Sequence, residues 1–149
     1  MFSSLIAERK NPSVTLPSGT VELTNYENGN YLVEVGEAIT PSWKTTFSAG
    51  SYTYGPATGV TSAQAKVYLS TDSNSSSTIG AGEMNGKTGS LNALIIEDTS
   101  TKHQAKVDYG WIQGTSIPKD NFGDDYINTS KNLPIQSASG KSDTSTYYI

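Results

Sequence analysis

The feature that most constrains this chain is a recurring short run of alternating apolar and polar residues, rich in Val, Thr and Tyr and broken by Gly, Pro, Asn and Ser clusters. A strand turns successive side chains to opposite faces, so a period of two lets one face be buried while the other meets water. In YLVEV the residues Tyr31, Val33 and Val35 fall on one face, and in AKVDY Ala105, Val107 and Tyr109 do the same. No segment carries a convincing 3.6-residue apolar period. The chain is therefore expected to be all-β, an antiparallel Ig-like β-sandwich with long loops.

Candidate strands are residues 13–16, 20–24, 31–35, 43–49, 64–70, 91–97 and 103–109, with a weaker one near Tyr147. Asn28-Gly29 has the dipeptide chemistry of a type I′ turn and predicts a hairpin over residues 20–35. Residues 70–89 are polar and Gly-rich, and read as a long surface loop or a short hairpin around Asn85-Gly86. The alternation assigns Val33, Val35, Trp43, Phe47, Val67, Leu69, Leu94, Ile96, Val107 and Tyr109 to the core. With 149 residues, one domain is the expectation: residues 1–12 as an N-terminal assembly segment and 13–149 as one sandwich, with 127–149 extended or incomplete.

Composition narrows the function. A formal net charge of −4 disfavours binding to phosphate backbones, so no nucleic-acid partner is expected. The chain has no cysteine, which removes disulfides and thiolate metal ligands. MFSSLIAERKNP lacks a secretory apolar core, and nothing downstream approaches a membrane span.

Catalytic chemistry is equally sparse. The single histidine, His103, lies at the polar entrance to a strand and reads as solvent-facing, so His103→Ala is expected to be neutral. No phosphate-loop, dinucleotide or H-E-x-x-H pattern occurs. Asp120, Asp124 and Asp125 in KDNFGDDY offer oxygen ligands, but their spacing misses the EF-hand loop, and a turn built from Asp, Asn and Gly explains them better. Paired glycosidase carboxylates cannot be located from sequence. The expectation is a non-enzymatic protein with no catalytic residue, cofactor or metal.

The stretch SAGSYTYGPATGV, residues 48–60, packs two tyrosines, three glycines and a proline into thirteen residues. Gly50, Gly55 and Gly59 can adopt positive φ, Pro56 fixes its own φ and biases Gly55, and Tyr52 and Tyr54 alternate onto one face. The loop is built to hold one shape, either as a sandwich corner with tyrosines on the core edge or as a contact surface.

Together with VGEAITPS before it, this stretch resembles a domain of tailed-bacteriophage virion proteins, the head-fibre, tail-fibre and minor structural protein family. Lys106-Val-Asp-Tyr109 followed by Ile117-Pro-Lys-Asp-Asn-Phe-Gly-Asp-Asp-Tyr126 is similar to a second block of that family, a strand followed by a P-x-x-N-x-G-x-x-Y turn. The N-terminal MFSSLIAERKNPSVTL looks like the segment that opens such proteins. The aromatic, arginine-bearing continuation of similar proteins is missing, with only Tyr147-Tyr148 in its place. The resemblance implies a structural component of a virion assembled in the bacterial cytoplasm. It would act in assembly, decoration or host attachment, with capsid or tail proteins and copies of itself (a dimer or trimer) as partners and a host glycan as a further one. Phe2, Leu5 and Ile6, ahead of the first strand, are the candidate assembly contacts. The alternative is an Ig-like bacterial adhesin or carbohydrate-binding module.

Overall fold

The computed structural model describes residues 8–24 and 34–148, with the side chains of 139–148 left aside. The described chain is all-β: twelve strands in antiparallel sheets and a single 3-10 turn at Thr129–Lys131. In order they are β1 (Val14–Thr15), β2 (Ser18–Leu23), β3 (Ala38–Ile39), β4 (Ser42–Ser48), β5 (Ser51–Tyr52), β6 (Thr61–Ser62), β7 (Ala65–Leu69), β8 (Asp72–Ile79), β9 (Thr88–Ser90), β10 (Leu94–Ile95), β11 (His103–Ile112) and β12 (Ala138–Tyr148).

One sheet runs β12-β11-β7-β8, with β6 also paired to β11, and a second runs β2-β4-β9. Two small ladders, β1-β5 and β3-β10, flank them. Alternation explains why these stack as a sandwich. In β2 and β4 the inward residues are Val21, Leu23, Trp43 and Thr45, and in β7 and β11 they are Ala65, Val67, Leu69, Ala105 and Val107, all buried. Ile79, Met84, Leu91 and Ile96 join the same cluster, so both sheets share one core. Fully burying a side chain of this size contributes about 1.5–3 kcal/mol. This strand order does not by itself define an immunoglobulin topology.

Trp43 sets the spacing at one edge. It lies directly opposite Gly89 in the ladder, and a Cβ on that glycine would stand 2.5 Å from the indole. The ring therefore occupies the space the missing side chain leaves. Thr45, fully buried, donates its hydroxyl to the Met84 carbonyl at 2.6 Å, which satisfies a polar group the core could not otherwise hold.

A second cluster closes the other end. Val60, Trp111 and Ile135 are buried there, with Val14, Phe47, Ala49, Tyr52 and Tyr109 packed around them. Trp111 donates its indole N–H to the Gln136 carbonyl at 2.8 Å. Phe47 and Tyr109, expected in the core, are half-buried and touch both clusters.

Several expectations need correction. Residues 70–89 are not a single surface loop, nor a hairpin around Asn85-Gly86; only residues 80–87 form a loop. Asp72–Ile79 is an eight-residue strand on β7, and the chain then crosses to the other sheet, where β9 pairs with β4. The inward positions of β8 include Ser75 and Ser77, which conceal the strand because small hydroxyls give no apolar alternation. Val35 is not in the core. It is 55% exposed in a turn where Gly36 takes φ +94° and Glu37 donates to the Glu34 carbonyl. Strand 91–97 shrinks to Leu94–Ile95, with Ile96 buried, Leu94 half-buried and Ile95 exposed. Val33 and the Asn28-Gly29 turn lie outside the described residues.

Gly89→Val is expected to force the indole of Trp43 out of place and to destabilise the fold by about 1–3 kcal/mol in urea unfolding. A change within about 0.5 kcal/mol would show that Trp43 does not depend on that gap.

Candidate functional site

The constrained 48–60 loop forms a corner over the second cluster. Gly50, Gly55 and Gly59 have φ of +74°, +97° and +71°, the left-handed region that glycine enters without a Cβ penalty. A Cβ at Gly50 would collide with the Thr15 carbonyl oxygen, so the backbones of β1 and the loop meet there. The Tyr52 hydroxyl accepts the amide N–H of Ile135 at 2.8 Å, and the Thr58 hydroxyl donates to the Ala49 carbonyl at 2.9 Å. Gly55 and Pro56 are exposed, with Gly55 beside Lys119, and Tyr54 is half-buried. Thus Tyr52 supports the fold, while the tip of the loop adjoins the segment 114–119.

That segment leads into a compact excursion, residues 117–127. The Tyr126 amide donates to the Pro118 carbonyl, Lys119 and Asp125 bridge across, and Gly123 turns the tip at φ +87°. Ile117 and Ile127 sit at its base and Phe122 at its tip. They are 38%, 63% and 46% exposed, large apolar side chains directed at water.

The N-terminal segment is clamped to the same excursion. The guanidinium of Arg9 pairs with Asp120 and, at 2.8 Å, with Asp124, and it lies 4.9 Å from the centre of the Phe122 ring. Asn121 accepts the Lys10 amide N–H at 2.7 Å and donates to the Glu8 carbonyl at 2.8 Å. Asp120 is buried, and its second oxygen accepts the amides of Phe122 and Asp124. Burial opposes ionisation of Asp120, but those amides and Arg9 together hold its carboxyl below the usual carboxylate range. Asp125 pairs with Lys119. The three aspartates are thus engaged by cations and turn amides, and no group of three or more His, Asp or Glu among the described residues is placed to hold a metal ion.

The residues of the P-x-x-N-x-G-x-x-Y block each have a distinct physical role. Pro118 is buried, Asn121 grips the N-terminal segment, Gly123 turns the chain and Tyr126 closes the base. Phe2, Leu5 and Ile6 lie outside the described residues, but the chain reaches the described part at Glu8, beside this excursion.

His103 is a correction. It is 8% exposed, not solvent-facing, and its Nδ1 lies 2.8 Å from the Thr71 hydroxyl. It borders a cavity of about 260 Å³ with Asp72, Ile95, Glu97, Asp98 and Thr101. The hydroxyl and amide of Thr101 and the amide of Ser100 hold the Asp98 carboxyl down at about 2. Burial lowers the His103 pKa, partly opposed by the Asp98 charge. Its placement at the first position of β11, opposite Tyr148, is not readable from the polar run before it.

A second cavity, an open groove of about 300 Å³, crosses the outer face of the larger sheet near Lys66 and Asp108. No sequence pattern singles it out, because its lining mixes the polar outward positions Gln64, Lys66, Thr78 and Asp108 with Ala63, Ala65, Tyr109 and Gly110. No helix among the described residues is long and apolar enough to cross a membrane. Comparison with protein-family models, curated proteins and solved structures finds no match to the chain.

These contacts make two outcomes testable. A histidine with a depressed folded pKa favours the fold fully above its unfolded value of about 6.5, and loses that contribution as pH falls through the folded pKa. The melting temperature should therefore drop as pH falls below about 6.5, and His103→Gln should flatten that slope; an equal slope in both proteins would contradict it. Asp120→Asn should speed hydrogen exchange at the Phe122 and Asp124 amides while leaving β11 protected. Unchanged exchange at those two amides would show that the carboxylate does not hold the turn.

Proposed function

We propose that this chain is a non-enzymatic structural module of a tailed-phage virion, a head-fibre or capsid- or tail-associated domain that assembles through its loop end. The observation that carries the assembly role is the excursion 117–127, where Ile117, Phe122 and Ile127 stand exposed at the place to which Arg9 and Asn121 bind the N-terminal segment. A rigid, turn-locked display of large apolar side chains suits a protein–protein contact better than a solvent-facing loop. Partial burial of three such side chains contributes less than the about 1.5–3 kcal/mol each of full burial, so further area must come from the partner and from neighbouring residues to offset association costs. The resemblance of VGEAITPS, SAGSYTYGPATGV and the P-x-x-N-x-G-x-x-Y block to virion proteins supplies the context, and the partners are copies of the chain as a dimer or trimer or a capsid or tail protein.

Mass spectrometry of purified particles of the phage encoding the chain should find it in the virion; its absence would remove the virion reading. Sedimentation of the purified chain should show a dimer or trimer, or co-sedimentation with a capsid or tail protein. The double variant Ile117→Ser, Ile127→Ser should lose that association while melting as the parent does. Association that survives the double variant would place the contact elsewhere, and a chain that is monomeric and binds no virion protein would overturn the assembly role.

A further inference from the structure

The groove on the outer face of the larger sheet lies where β11 changes its pairing. On one side β6 gives way to β7, and on the other the register with β12 shifts between Tyr109 and Trp111. Such irregularities bend a strand and re-aim its side chains. The result is an open cavity of about 300 Å³, at the lower end of the range of small-molecule pockets, with Ala63 and Gly110 among the small residues lining it and Gln64, Lys66, Thr78 and Asp108 as its polar walls.

The charged pair in this groove is unusual. Lys66 and Asp108 are directly opposite in the β7–β11 ladder, the position where opposite charges normally meet across strands. No ion pair joins them among the described residues. Instead, the Lys66 ammonium lies 5.6 Å from the centre of the Tyr68 ring, and the Tyr68 hydroxyl donates to Asp108 at 3.3 Å. Tyr68 thus engages both charges, its ring facing Lys66 and its hydroxyl Asp108.

We propose that this groove binds a neutral saccharide of one or two sugar units. Its charges cancel, so neither an anion nor a cation finds a uniform field, whereas a polyhydroxylated ring needs donors and acceptors in alternation. Lys66 donates, Asp108 accepts, and Gln64 and Thr78 do both; small residues let the ring approach the backbone. Tyr68 is the positioning residue. The site goes beyond the proposed assembly role, rests on its own residues and is read separately from self-association.

The test is amide NMR of the full chain titrated with glucose, galactose and N-acetylglucosamine and their neutral disaccharides, against sialic acid and ethylamine as charged controls. Saturable shifts at residues 64–66, 78 and 108–110 with at least one neutral sugar are expected, weakened at least about tenfold in Asp108→Ala and in Gln64→Ala. Tyr68→Phe, which keeps the ring but frees Asp108, should weaken binding while leaving the melting temperature close to the parent's. No saturable shift with any neutral sugar, equal or stronger binding of a charged control, or shifts unaffected by both alanine variants would each overturn the assignment. The Ile117, Ile127 variant should bind sugar as the parent does, so failure of the assembly reading leaves this result intact.

Discussion

Strand β11 is the constraint on which the rest of the molecule depends. It is paired on both sides, with β12 along one edge and β7 and then β6 along the other, and its Ala105 and Val107 are fully buried. A strand committed on both edges cannot slip by one residue without turning its core face to water. Its inner face meets the β2-β4-β9 sheet in the first cluster, and its end carries Trp111 into the second. The same strand therefore ties the sandwich core to the loop end, and its outer face supplies Asp108 to the groove.

The loop end inherits its rigidity from that arrangement. Tyr52 fastens the 48–60 corner to Ile135, and Ile135 packs on Trp111. Gly59 and Gly114 approach so closely that a Cβ on Gly114 would collide with the Gly59 carbonyl group. The excursion 117–127 grows from this base, and Arg9 together with the backbone of Glu8 and Lys10 ties the N-terminal segment to it. An excursion held at this many points is preorganised, which lowers the ordering cost of a contact it makes.

Much of the fold is legible in the sequence because its central strands bury one face only. Trp43, Val67, Leu69 and Val107 alternate cleanly with polar residues, and this pattern places β4, β7 and β11 within a few residues of their observed bounds. Strand β8 escapes it, and β12 is anticipated only at its end near Tyr147, because Ser, Thr and Asp dominate both, so pairing with a neighbour, not apolar periodicity, makes them strands. Val35 and His103 depart from expectation for opposite reasons: an apolar residue in a turn pointing outward, and a polar one drawn inward by the ladder. The positive-φ glycines of the 48–60 loop are readable from local chemistry. The grip of Arg9 on Asp120, across more than a hundred residues, is not, since nothing local announces it.

Hydrogen exchange measured on the free chain and on the chain in its assembled state tests the proposed role of the loop end most directly. Protection should rise on assembly across residues 117–127 and at the tip of the 48–60 loop, and stay constant in β8. Protection that rises in β8 or on the outer sheet face while 117–127 exchanges as before would contradict it.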